Sequence, residues 1–284
     1  MTQTFISREL ETSVDGIAVS DGAGVKLKRV LSSSLQKRLD PFLMLDEFGS
    51  DSPDDYLAGF PDHPHRGFET VTYMLEGRMR HRDNAGNEGL LNAGDIQWMT
   101  AGSGLVHSEM PEQQHGRMQG FQLWVNLAAK DKMIAPCYRG IPAAEIPQLS
   151  PVSGVQVKII AGTLEGVTGA IQGIRTEPVY LDIELAAGCA HDFSIDSSHN
   201  AFIYVYHGEL MVGEQAKSVS AGQLAVLSNP SLSNGVHLGS SHGARLLLIA
   251  GQPIGEPIVQ WGPFVMNTRE EIEQAFADFR RGQF

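Results

Sequence analysis

His63 and His65 lie two residues apart in Phe60 to Glu69, FPDHPHRGFE, and His107 and Glu109 share that spacing in Val106 to Met110, VHSEM. On an extended chain, residues two apart project from one face. Their Cα atoms are then ~6–7 Å apart, close enough for both side chains to converge on one ion. Two barrel strands that each present such a pair inward would assemble three imidazoles and one carboxylate. That donor set suits a divalent transition metal, because imidazole and carboxylate are present and thiolate is not. Four protein ligands leave open positions on a metal that prefers five or six, as catalysis requires. A closed structural zinc site would call for cysteine.

Glu69 is the competing carboxylate. It shares parity with His65 but lies four residues on, ~13 Å along an unbroken strand. It reaches the same ion only if the chain turns between them, which Gly67 would permit. Glu109 is therefore taken as the ligand and Glu69 as a supporting residue. His81, His115, His191, His199, His207, His237 and His242 lack paired context and are read as structural or exposed.

The elements that must position these residues read as short strands. Gly, Pro, Asn and Asp break the chain between apolar runs such as Thr70 to Leu75, Phe121 to Leu127, Val155 to Ile160, Val179 to Leu185, Phe202 to Tyr206 and Arg245 to Ala250. These runs are rich in β-branched and aromatic residues, and several alternate with period two. The two halves also echo one another. TYMLEGRMRH followed by LLNAGDIQWM matches IYVYHGELMVG followed by SVSAGQLAVLS, with Gly77 and Gly94 answering Gly208 and Gly222. That pattern means two copies of one β unit. The Pro- and Ser-rich stretch Ile141 to Val155 marks the boundary, giving domains 1–145 and 146–284. One helix is expected, at the C-terminus. Thr268 and Glu271 have capping-box spacing ahead of an apolar stripe of Ile272, Ala275, Phe276 and Phe279.

With 21 Lys and Arg against 33 Asp and Glu, the 284-residue chain carries a formal charge of -12, which disfavours direct nucleic-acid or anionic-membrane binding. Hydrophobic residues at 42% suffice for a real core. No apolar run approaches the ~20 residues of a membrane span. The N-terminus shows neither an apolar stretch nor a basic lead, so a cytoplasmic protein is expected. Cys137 and Cys189 are too few for a disulfide framework and are read as small buried hydrophobes.

At the histidine motifs the sequence resembles the pirin family of the cupin superfamily. The resemblance covers nearly the whole chain. It runs through DGAGVKLKRVL, DPFLMLDEF, FPDHPHRGFETVTYMLEG, GDIQWMTAGSGLVHSEMP, QLWVNL and EPIVQWGPFVMNTREEI. It implies an all-β bicupin of two antiparallel jelly-roll barrels with a short C-terminal helix, and a metal only in the N-terminal barrel. It also implies His63, His65, His107 and Glu109 as ligands. In the C-terminal repeat, alignment on the paired glycines puts Ser194 and Asp196 at the positions of His63 and His65, and Gly235 at that of His107. A second metal is not expected there.

The resemblance further implies a quercetin 2,3-dioxygenase-like oxidoreductase that opens a flavonol with O2 and releases carbon monoxide. Glu109 would be the general base and Phe48, Phe68, Met74, Trp98 and Trp124 the candidate walls for a small aromatic substrate. The expected cofactor is one divalent transition ion, iron first, with nickel, cobalt, copper, manganese or zinc compatible. The alternative is a metal-binding, redox-sensitive regulator acting through a protein partner, as a transcriptional or metabolic coregulator. A non-oxidative cupin such as a sugar isomerase fits the fold but not the long motifs.

Overall fold

The computed structural model describes residues 4–284, and its chain divides into two compact units. The unit that carries the histidines comprises Ile17–Lys37, Phe42–Ala143 and Ile254–Phe284. The other comprises the chain up to Gly16, Arg38–Pro41 and Ala144–Pro253.

In chain order the strands through the first repeat are β1 (Leu10–Asp15), β2 (Ile17–Asp21), β3 (Val25–Leu31), β4 (Phe42–Ser50), β5 (Phe60–His65), β6 (Phe68–Glu76), β7 (Met79–Asp83), β8 (Glu88–Leu91), β9 (Ile96–Thr100), β10 (Leu105–Pro111), β11 (Met118–Asn126) and β12 (Cys137–Ile141). In the histidine-bearing unit they form a seven-stranded sheet, ordered β12-β9-β6-β11-β4-β3-β2, and a four-stranded sheet, ordered β5-β10-β7-β8. The pairings are antiparallel throughout, so residues directly opposite each other share a face. Leu27, Phe48, Met74, Met79, Leu91 and Met118 are buried together between hydrophobic strand faces.

The termini depart from a division into 1–145 and 146–284. β1 pairs with Gln223–Leu227 and so adds a strand to the other unit's ten-stranded sheet. The C-terminal segment goes the opposite way. Its hairpin, Val259–Trp261 with Phe264–Met266, and helix α1 (Arg269–Arg280) belong to the histidine-bearing unit. Backbone hydrogen bonds decide this, because Arg66 N donates to the Pro263 carbonyl at 3.3 Å and Val265 N donates to the Arg66 carbonyl at 3.1 Å. Helix α1 opens with the expected capping box, in which Thr268 accepts from Glu271 N while the Glu271 side chain accepts from Thr268 N. Ile272 and Ala275 bury against Phe264 and Met266, with Phe276 packed at the edge, while Phe279 stays 38% exposed.

The other unit encloses its own core, including Val157, Ile183, Phe193, Ile203, Val236 and Leu248. The internal repeat is visible in its turns. Gly94 N donates to the Met74 carbonyl at 2.8 Å and Gly222 N to the Val205 carbonyl at 2.7 Å, and both glycines have φ near +90° (87° and 88°). That left-handed backbone is what makes glycine the fitting residue at both positions. Among the described residues no helix is long and apolar enough to cross a membrane. Cys137 corrects the buried-cysteine expectation: it is exposed, because β12 is the sheet's edge strand, and Cys189 is half-buried.

Candidate metal centre

β5 and β10 lie side by side in the four-stranded sheet with His63 directly opposite His107 and His65 opposite Leu105. The period-two spacing turns His63 and His65 to the same interior, where the ligating atoms of His63, His65 and His107 all lie within 4.8 Å of one another. The ring centroids are 4.4 Å apart for His63 and His107, 4.7 Å for His63 and His65, and 5.0 Å for His65 and His107.

The register shifts between His107 and Glu109, because Glu109 pairs with Phe60 and not with Pro61. One extra residue therefore sits in β5, a bulge of the kind that re-aims side chains beside sites. Beside the bulge, the Pro61 carbonyl lies 2.8 Å from His63 Nδ1. A carbonyl only accepts, so Nδ1 carries the proton and Nε2 is left as the free ligand atom.

His65 and His107 are 3% and 1% exposed. Burial holds the His65 pKa well below the ordinary imidazole range, with the neighbouring His107 and His63 adding to this and the Pro263 carbonyl opposing it. His107 is shifted the same way, by burial first and then by His63 and His81. Both rings are therefore neutral at pH 7, as metal ligation requires. Nδ1 of His65 and both ring nitrogens of His107 are buried without a hydrogen-bond partner. Leaving such a group unpaired costs about 1–3 kcal/mol. A cation shared by three imidazoles would take one nitrogen from each ring, including a buried unpartnered one on His65 and on His107, so the residues fit a bound metal.

Glu109 faces the same cavity as His63 and His65 but lies outside the three-histidine cluster. Its carboxyl oxygens contact Thr72 Oγ1 at 3.0 Å and Gln122 Nε2 at 3.3 Å, and Thr72 Oγ1 is also 2.6 Å from Gln122 Oε1. Burial raises the Glu109 pKa, against the lowering effect of His63, Thr72 and Gln122. Thr72 has one hydroxyl hydrogen for two oxygens. With Glu109 protonated the three groups close a ring: Glu109 donates to Thr72, Thr72 to Gln122 and Gln122 back to Glu109. With Glu109 ionised, the Thr72 hydrogen turns to the carboxylate. This arrangement can hold a proton or release it.

Glu69 is placed elsewhere. It pairs with Thr100 across β6 and β9 and accepts that residue's hydroxyl at 2.6 Å, outside the cavity lining. Its pKa is raised by burial, against the hydrogen bonds of Thr100 and Trp98. His81 faces Glu109 across β7 and β10 and stacks on Tyr138, 5.8 Å between centroids.

The cavity is about 810 Å³. Of the proposed aromatic walls, Phe48 and Trp124 line it, together with Leu27, Met44, Phe60 and Met79. Phe68 stands behind, 4.3 Å from Trp124 and edge-on to His65 at 5.1 Å. Met74 and Trp98 are core residues that do not reach the lining, because their strand positions turn them into packed layers.

The backbone beyond His65 is clamped. Arg66 donates to the Ser103 carbonyl at 2.6 Å and to Asp278 of α1 at 2.7 Å, and lies over the Phe284 ring at 4.3 Å. Lys132, 1% exposed, donates to the carbonyls of Gly67 and Val265 at 2.7 and 2.9 Å. A Cβ at Gly67 would stand 2.1 Å from the Val265 carbonyl oxygen, so the close approach excludes any side chain there. Thr72, Gln122 and Pro263 escape sequence reading, since only strand pairing brings them to the motif residues.

In the other unit, the positions equivalent to His63 and His107 are occupied by Ser194 and Gly235, which face each other in the same way. The Phe5 ring fills the space in front of Gly235, 2.4 Å from where its Cβ would lie.

Family models describe the same chain. Residues 24–125 match the model named Pirin, and residues 180–284 match the Pirin C-terminal cupin domain. A Pseudomonas aeruginosa protein, provisionally named a quercetin 2,3-dioxygenase, is 53% identical over 94% of each chain. A pirin-like protein of Caulobacter vibrioides is 51% identical over 95% of this chain and 97% of its own. Among solved structures, a quercetin 2,3-dioxygenase from Acinetobacter baumannii superposes with a TM-score of 0.92 at 32% identity, covering 98% of this chain and 99% of that one. With both cupin domains matched and relatives similar from end to end, this chain belongs to the pirin family.

Proposed function

We propose that this protein is a metal-dependent dioxygenase that opens a flavonol such as quercetin with O2, with His63, His65, His107 and Glu109 as the ligands of one divalent transition ion. The observation that carries this reading is a cluster of three imidazoles, those of His65 and His107 buried, beside a buried carboxylate, opening on an aromatic-walled cavity. The names of the Pseudomonas and Acinetobacter relatives support the reaction class. A cavity of about 810 Å³ falls in the range that holds a small organic ligand. It favours a small-molecule reaction over a regulatory surface.

A bound divalent ion would supply Lewis acidity toward the enolic oxygen of a flavonol and access to O2. Everything else falls to the chain. Trp124 and Phe48 offer flat apolar surface for the substrate's aromatic rings and keep water from them. Glu109 takes the proton of the enolic hydroxyl. Its raised pKa moves it toward the working pH, where a general base is most effective. Thr72 and Gln122 orient the carboxyl and adjust their hydrogen bonds as its charge changes. Pro61 fixes the His63 tautomer.

The test is oxygen uptake with quercetin after reconstitution with each of iron, nickel, cobalt, copper, manganese and zinc, with carbon monoxide measured as product. Turnover with stoichiometric carbon monoxide is expected with at least one metal. Tight metal binding without turnover by any of them would overturn the enzyme reading.

A further inference from the structure

Across the seven-stranded sheet, Arg29 on β3, Asp46 on β4, Gln122 on β11 and Thr72 on β6 stand at one register. Residues opposite one another share a face, and Arg29, Asp46 and Gln122 all line the cavity that holds Glu109. The row thus begins at the pair that holds Glu109 and ends in a charged cluster. Adjacent strands are ~4.8 Å apart, so Asp46 stands about 5 Å and Arg29 about 10 Å from the Gln122 position. On one flank the rung below is apolar, Leu27 opposite Phe48, and on the other lie Met44 and Trp124.

Charge-assisted hydrogen bonds tie the cluster together. Asp46, 3% exposed, accepts from Arg29 Nε at 2.9 Å and from Nη2 at 2.7 Å. Nη2 also donates to Asp21 at 3.0 Å. These bonds use two of the three guanidinium nitrogens and leave Nη1 without a hydrogen-bond partner among the described residues. One guanidinium is shared by two carboxylates, so this end of the cavity opposes an anion. Neutral hydroxyls suit it, because one can donate to the remaining lone pairs of Asp46 and another can accept from Nη1.

We propose that Arg29 and Asp46 form the specificity-determining pair of the cavity, recognising neutral hydroxyl groups on the substrate ring farthest from Glu109. This rests on the flavonol reading above and narrows it to flavonols hydroxylated on the outer ring. With the enolic hydroxyl at Glu109, the outer aryl ring of such a molecule extends along the row, over Trp124 and Phe48, toward the pair.

The test uses the metal-loaded protein and two flavonols, quercetin with two hydroxyls on the outer ring and galangin with none. Binding is titrated without oxygen by ligand absorbance, and turnover is followed separately by oxygen uptake. Wild type is expected to bind quercetin about tenfold tighter than galangin, since a site built for a hydroxyl rejects the analogue that lacks it. Asp46→Asn is expected to cut this preference to below about twofold through weaker quercetin binding. Arg29→Lys, which keeps the charge but loses the fork, is expected to act in the same direction. Thermal unfolding of each variant identifies any that fails to fold, and the wild-type comparison stands without them. Equal affinity for both flavonols in wild type, or equal loss of both in a folded variant, overturns the proposal while turnover leaves the dioxygenase reading in place. Binding of neither flavonol by wild type overturns both.

Discussion

His63 stands directly opposite His107 on adjacent strands, and at the same place in the second repeat Ser194 stands opposite Gly235. One fold thus presents the same two positions twice, with imidazole side chains at one copy and none at the other. The strands fix where a ligand could be; the residue types decide whether one is there.

Metal stoichiometry tests this contrast. One ion per chain is expected after reconstitution, measured by elemental mass spectrometry. His107→Ala is expected to weaken binding by more than about a hundredfold, beyond the 10- to 100-fold typical of losing a mere supporting partner. Two ions per chain, or an undiminished affinity in the variant, would count against the three-histidine site.

Glu109 is expected to matter more to turnover than to metal retention. Glu109→Gln keeps the size and one oxygen but cannot take a proton, so kcat should fall at least about a hundredfold while the metal content stays near wild type. Thr72→Val removes the hydroxyl that touches Glu109 and should lower kcat by about tenfold with KM little changed. Activity in Glu109→Gln equal to wild type would refute the base.

The contact between α1 and Arg66 makes a pH prediction. The Arg66 guanidinium, and next the Gln274 amide, hold the Asp278 carboxyl below its ordinary value. Because the folded value is depressed, the stabilisation is fully present above the unfolded pKa of ~3.9 and is lost as pH falls through the lower folded value. In urea unfolding, Asp278→Asn should be less stable than wild type at pH 7, and the two should converge in acid. A difference that stays constant with pH would refute the assignment.

Helix α1 offers a separate stability test. Thr268→Ala removes the side-chain half of the capping box and is expected to cost about 1 kcal/mol. Thr268→Asn, which can still cap, should lose far less. Urea denaturation of both variants separates loss of the cap from a general effect of substitution at that position.

Several features were legible because they depend on neighbours in the chain. Period-two spacing put His63 and His65 on one face, the capping box announced α1, and paired glycines revealed the repeat. Others were not. The destination of β1 and of α1 escaped because the two termini take their hydrogen-bond partners from far along the sequence. Trp98 and Met74 looked like cavity walls because composition does not tell an inward-facing aromatic from a packed one. Cys137 looked buried because nothing local marks β12 as an edge strand.

The sequence by itself determined the residue types, their parity within each strand and the family to which the motifs belong. Only the tertiary structure decided which strands are neighbours and in what register. That is why Glu109 meets Thr72 and Gln122, and why Arg29 and Asp46 share a row with them. Strand pairing closes contacts between residues 13 to 37 apart in the chain, and a one-residue slip would turn every one of these side chains to the opposite face.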